Sequence, residues 1–338
     1  MNPWHDHAQV DIEEAGRALG HDFHTMTQIP KQADWPAAVC AGFDAAAHLH
    51  RSGHGPAHRR PHADRFTRKW LQLRLNAWRR QRAVAADVTP QLLRELDVTR
   101  CPVTREVLTH GALRDTDWSV DRLNNDAAYA ASNLAVMSVR ANRAKGALSF
   151  AQVMARAQTA HPAHAAEASE GLTPAEWLRL AALMLGPCHA TCPHEAPALP
   201  LCAPLPVHAV RLALQQVQRL LTEHCLRQAG KNRLLRDFGS ACRSDAARLR
   251  LAALGHAVHE GLKHTEAHGQ GDHRWDVWLQ PAVMAALLRW HEALSEAEWA
   301  RVAALSGRLS QARRETPERL RLWQMPTRGF VPLQTGWA

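Results

Sequence analysis

Apolar residues recur at helical spacing along most of the chain and β-branched runs are scarce, so the pattern predicts a mainly α-helical protein. A helix is expected from Ile12 to Leu19, another after Pro36, and a strong one over residues 64–86, DRFTRKWLQLRLNAWRRQRAVAA. In that third helix Phe66, Trp70, Leu73, Ala77 and Trp78 share one side, which is core. Thr89-Pro90 opens a short helix, with Thr at the cap and Pro in the first turn. The helical pattern breaks between about 97 and 150, then returns over 171–338. There Leu172-Thr173-Pro174 starts one helix, Val207 to Arg227 forms a long amphipathic one, and others fall near 243–262, 276–294 and 296–314. A His/Gly/Pro-rich stretch, HLHRSGHGPAHRRPH, reads as a polar loop, and a Pro-rich segment separates Gly186 from Pro206. Three regions result: a helical N-terminal region at 1–95, a compact unit at 96–150 and a helical C-terminal domain at 171–338.

Composition narrows the class. The 338 residues are 46% hydrophobic and 22% charged, an ordinary globular balance that excludes global disorder. No stretch approaches the roughly 18 uninterrupted apolar residues of a spanning helix, so no membrane partner is expected. The start, MNPWHDHAQVDIEEAG, has acidic and His residues where a signal peptide needs a basic and then an apolar run. Seven Cys at irregular spacing, without an export signal, argue for reduced thiols or a metal site. A cytoplasmic, basic protein is expected.

The net charge of +9 points to a polyanion only where cations cluster. Only 5 of the 41 basic residues are Lys, a bias that a GC-rich genome produces by itself. The 64–86 helix is more specific, because Arg65, Arg68, Lys69, Arg79 and Arg80 line one stripe with Gln72 and Asn76. That stripe has no carboxylate to offer an i,i+4 partner, so a nucleic-acid backbone is its natural complement. A solvated face is the alternative reading.

The 101–146 segment reads CPVTREVLTHGALRDTDWSVDRLNNDAAYAASNLAVMSVRANRAKG. Glu106–Thr109 and Trp118–Leu123 are expected to be short strands around a turn, with a third apolar run at Asn133–Met137. A helix from about Ser138 to Lys145 follows, carrying Arg140, Arg143 and Lys145, which are expected to contact nucleic acid. The run SVDRLNNDAAYAASNLAV, with Asn142 and Lys145 after it, resembles the HNH endonucleases, whose unit is a ββα finger holding one divalent metal ion. Asn133, Asn142 and Lys145 follow the family's N-x8-N-x2-K spacing. The resemblance implies that Asn133 orders the loop, that Asp121 and Asn142 ligate the metal, and that Arg122 and Lys145 contact phosphate. It covers about 46 residues and implies DNA as the substrate.

One departure bears on the chemistry. The family has Asp-His at the end of the first strand, where the His is the general base, and here the pair is Asp121-Arg122. Arginine stays protonated and cannot take a proton. The run through Asp121, Arg122, Asn125, Asp126, Tyr129 and Asn133 nevertheless resembles a phage-type variant of the family that has Asp-Arg. General-base assistance contributes about 10²–10⁴-fold, whereas a metal supplies its own water activation, so loss of the base weakens a phosphodiesterase without abolishing it. His110 is the best-placed substitute base, although a plain turn His before Gly111 is the commoner role. Asp126 and Asp117 offer further oxygen ligands that suit Mg²⁺ or Mn²⁺; as bland alternatives they are turn-forming and capping residues.

Zinc ligands occur at two places in the sequence. Many HNH units carry two Cys-x-x-Cys pairs, but here only Cys101 remains, with Thr104 where a second Cys would sit, so packing must hold the finger. Within GPCHATCPHEAPALPLC, Cys188, Cys192, His194 and Cys202 would make a Cys3His set for Zn²⁺, with His189 as an alternative ligand. Their spacing matches no assigned site, and a thiol-bearing loop that binds nothing is favoured. Cys40, Cys225 and Cys242 are expected to be buried thiols.

Three functions remain from this reading. The first is metal-dependent DNA cleavage or nicking by the variant site. The second is a non-catalytic nucleic-acid-binding module that keeps the finger as scaffold, and the third is a structural protein whose helical C-terminal domain binds a protein partner.

Overall fold

The structure, a computed structural model, describes residues 12–53, 62–159, 171–188, 199–203, 213–268 and 271–310. It is mainly helical, with one small antiparallel sheet of two strands. The chain divides into two compact units, one formed up to Asp97 and by Asn125–Leu134, the other by Val98–Asn124 and the described residues from Ala135 onward. The 96–150 segment is therefore not a unit by itself, and its loop and its strands contribute to different units.

In the first unit α1 (Ile12–Met26) packs on α2 (Ala37–Arg51). Their contact is backbone to backbone: a Cβ on Gly20 would lie 1.9 Å from the Val39 carbonyl oxygen, and one on Gly42 would lie 1.9 Å from that of Arg17. Leu19, Phe23, Trp35, Val39 and Phe43 fill the space around this crossing, with Leu71 and Leu75 from α3 (Arg65–Arg79). Asp64 caps α3 by accepting the Thr67 amide, which holds its carboxyl below the usual carboxylate range. α4 (Pro90–Glu95) is capped by Thr89 as expected.

The α3 helix stops at Arg79 and does not run to 86. Beyond it the backbone opens into a bridge in which Ala85 donates to the Tyr129 carbonyl and Tyr129 to that of Ala83. The side of α3 expected to be core is buried at Phe66, Leu73 and Ala77; Trp70 and Trp78 are half-buried, their indole nitrogens bonded to the carbonyls of Val88 and Ile12. The first helix also runs seven residues past Leu19, because Phe23 continues its apolar stripe.

In the second unit β1 (Trp118–Arg122) pairs with β2 (Leu134–Ser138), and α5 (Val139–Lys145) follows directly, capped by Ser138. The 3-10 turn at Ala131–Asn133 that precedes β2 in sequence belongs to the first unit. Glu106–Thr109 does not form a strand: only single bridges, Arg100 with Val107 and Thr109 with Asp117, occur there. The reason lies in Asp117, whose carboxylate gathers the Thr109 hydroxyl and the amides of Ala112 and Leu113 into a tight loop. Those bonds, Thr109 first, hold the Asp117 carboxyl below its usual range and use it as a loop anchor, not a metal ligand.

Helices α6 (Phe150–Thr159) and α7 (Pro174–Cys188) pack together, and α8 (Ala213–His224), α9 (Gln228–Ala241), α10 (Asp245–His268), α11 (Pro281–Glu292) and α12 (Glu296–Leu309) share one core. Trp278, Trp290, Phe238 and Val258 are fully buried in it. The pattern did not predict α6 or α9. Of the helix expected over Val207–Arg227, residues 207–212 lie outside the described residues and α8 accounts for most of the rest; most of the polar loop before His62 is likewise outside them. Among the described residues no helix is long and apolar enough to cross a membrane.

Candidate functional site

The β1–α5 contact is built by matched spacing. Side chains two apart on a strand share a face, and side chains three apart on a helix share a stripe. Ser119 and Asp121 are such a pair on β1, and Asn142 and Lys145 are such a pair on α5. Asn142 Nδ2 donates to Ser119 Oγ at 2.7 Å, and Lys145 Nζ lies 2.9 Å from Asp121 Oδ2. The N-x2-K spacing is thus the register in which the helix sits on the strand.

Lys145 was expected to contact phosphate, and the structure corrects this. Its side chain has no exposed surface, and its ammonium lies against the Asp121 carboxylate. Arg122 is also buried, on the strand face it shares with Trp118 and opposite that of Asp121, so it is not an open phosphate contact beside that carboxylate. His110 is exposed and packs edge-on against Trp118, ring centroids 5.5 Å apart. The candidate base therefore lies with the Trp118 face, and the structure does not bring it to Asp121.

Among the described residues Asp121 Oδ1 and Asn142 Oδ1 have no hydrogen-bond partner, and both residues are partly open to solvent. Two hard oxygen donors of this kind suit Mg²⁺ or Mn²⁺, which keep several waters and are completed by substrate phosphate. They do not suit Zn²⁺, which favours Cys and His. Among the described residues no group of three or more His, Cys, Asp and Glu side chains is placed to hold a metal ion. Asn133 is wholly buried, its Nδ2 bonded to the Ala128 carbonyl at 2.9 Å, which ties the loop onto itself. Asp126 is exposed on that loop. Cys101 is buried with its Sγ accepting the amides of Thr104 and Ser138, each at 3.3 Å, so the thiol staples the CPVT turn to the α5 cap.

The cations expected to meet nucleic acid are largely spoken for. Arg65 pairs with Asp97, and Arg79 with Asp34 at 2.8 Å, so the α3 stripe finds its carboxylates 32 and 45 residues away. Arg68 contacts the His62 ring at 3.1 Å, and Arg80, at the C-cap, is exposed, whereas Lys69 is half-buried. Arg140 is held by Glu176 at 2.6 Å and Glu106 at 3.4 Å, and Arg143 by Asp115 at 3.0 Å.

Of the zinc candidates, His189, Cys192 and His194 lie outside the described residues, as does the side chain of Cys188 at the end of α7. Cys202 is buried, and burial pushes its thiol up to about 12. Among the other thiols Cys225 and Cys242 are buried as expected, whereas Cys40 is only half-buried. No family model, no curated protein and no solved structure matches the chain.

Proposed function

We propose that β1, β2 and α5 form a divergent HNH finger and that the protein is a metal-dependent DNA endonuclease or nickase acting in the cytoplasm. The observation that carries this reading is the pair of unpartnered oxygens, Asp121 Oδ1 and Asn142 Oδ1, at the strand–helix contact. These two residues would hold a Mg²⁺ or Mn²⁺ ion, which when bound supplies water activation and charge stabilisation at phosphate. Ser119 orients Asn142 so that its carbonyl oxygen is the free end. The Lys145 ammonium lies 2.9 Å from the same carboxylate and competes with a metal for it.

Supercoiled plasmid with Mg²⁺ or Mn²⁺ tests the reading. Nicking should need the divalent ion and fall at least about 10²-fold in Asn142→Ala, as expected when a ligand is lost. Nicking that persists with a chelator, or none at all in the wild type, sinks it. A second reading, a non-catalytic nucleic-acid-binding module, is favoured by Arg122 at the general-base position and by Lys145 on Asp121. Duplex binding without metal-dependent cleavage would select it.

A further inference from the structure

Residues 227–250 hold seven Lys and Arg against two Asp, a net +5 of the whole chain's +9. They form α9, a three-residue turn and the first turns of α10. Leu234, Phe238 and Ala241 of α9, with Ala247, Leu251 and Leu254 of α10, are buried in the core of the second unit. The opposite faces are open. On α9, Arg233 and Arg236 are three apart on the exposed stripe. On α10, Arg248 and Arg250 flank Leu249, which is 74% exposed, and the next turn shows only Ala252 and Ala253.

Arg248 pairs with Asp245 at 2.9 Å. Among the described residues Arg227, Arg233, Arg236, Arg243 and Arg250 have no carboxylate partner. Here the charge is uncompensated, whereas the two ends of the α3 stripe are neutralised. The turn between the helices is also held still. The buried Glu298 of α12 accepts the amides of Arg243 and Ser244 with one carboxylate oxygen, which fixes the turn that carries Arg243.

We infer that the exposed face of α9 and α10 grips the phosphate backbone of a nucleic-acid duplex. Guanidinium groups bind phosphate in a bidentate fork, and a crest of Leu249 and alanines between flanking arginines lets α10 approach a groove closely. A single strand would need aromatic platforms, and the one aromatic residue of 227–250, Phe238, is buried. A membrane surface would need a broader apolar face than a lone Leu249. The inference rests on the nucleic-acid reading above and names the surface that serves it.

The test is anisotropy of a labelled 20-bp duplex against the full chain over a NaCl series. It compares wild type, Arg233→Gln/Arg236→Gln/Arg243→Gln, and Arg68→Gln/Lys69→Gln/Arg80→Gln. Each lost phosphate contact removes about 0.9 from the slope of log K against log salt, so the α9–α10 triple should flatten it by roughly two to three units. The α3 triple should change it less, and circular dichroism should show both variants folded. A wild-type slope in the α9–α10 triple overturns this inference and leaves the nucleic-acid reading intact. Absence of duplex binding in the wild type overturns both, and tighter binding to the matching single strand overturns the duplex assignment.

Discussion

The ammonium of Lys145 lies 2.9 Å from the carboxylate of Asp121, and the Lys145 side chain has no exposed surface while that of Asp121 keeps 16%. The pair is lopsided: one charge is shut off from water, the other can still be reached by water or by an ion. Burying an ammonium is tolerated only against a close counter-charge. Asp121 is thus a structural counter-ion before it is anything else, and any metal role is added to that duty.

Asp121→Asn should therefore cost about 3–5 kcal/mol, the usual penalty for stranding one half of a buried ion pair. Lys145→Met should cost less, because the remaining carboxylate is partly solvated. In the double variant the two losses should fall short of their sum by about 1–3 kcal/mol, the coupling of a contacting pair. Urea midpoints of the four proteins decide it, and strictly additive losses would mean that the pair does not interact in solution. A cleavage assay on an Asp121 variant is read only beside its denaturation midpoint, which makes Asn142→Ala the cleaner probe of catalysis.

Local signals were legible in the sequence and long-range ones were not. Thr89-Pro90 and Leu172-Thr173-Pro174 announce their helices because capping is a matter of adjacent residues. The strand and helix around Asp121 and Asn142 were readable for the same reason, since alternation and spacing are local. Helix α9 is not legible in the sequence because Lys231 sits on its buried face and Gly230 and Gly239 interrupt its apolar stripe. The α3 stripe looked uncompensated because only i,i+4 partners can be read from a sequence, and its carboxylates, Asp97 and Asp34, arrive through the fold. The α9–α10 charge escapes a sequence reading for the opposite reason. Its cations are spread over two helices that only the fold presents as exposed faces.

The α1–α2 crossing depends on two glycines. A Cβ at Gly20 would stand 1.9 Å from the Val39 carbonyl oxygen, a backbone atom that cannot swing aside. Gly20→Ala must push the helices apart around Val39 and Phe43, and overpacking of this kind costs about 1–3 kcal/mol or more. Gly239→Ala, whose new methyl would have nothing nearer than Leu251 at 4.0 Å, should be neutral or stabilising through its better helix propensity. Equal melting temperatures for Gly20→Ala and wild type would contradict the crossing.

Thiol reactivity should follow burial. Desolvation pushes the Cys225 thiol up to about 12, with Lys231 only partly offsetting it. At pH 8 that leaves roughly one thiolate in ten thousand. Iodoacetamide on the native protein should label half-buried Cys40 and leave Cys225 untouched until denaturant is added, as read by peptide mass mapping. Early labelling of Cys225 would place it at the surface and contradict the α8–α10 packing.

The acid limb of stability should report on Glu298. Its carboxylate accepts the amides of Ser295, Arg243 and Ser244 and the Ser295 hydroxyl, closing the capping box of α12 and pinning the α9–α10 turn together. These bonds, the Ser295 amide first, lower its pKa from 4.5 to about 2. In the interval between those values the unfolded chain binds a proton that the folded chain does not, so stability falls as the pH falls. The Glu298 contribution is accordingly complete above about 4.5 and fades as the pH drops towards about 2. Glu298→Gln should be less stable than wild type at pH 7, and the gap in urea midpoint should narrow steadily below pH 4.5. A gap that stays constant down to pH 2.5 would show that the carboxylate charge is not what holds the turn.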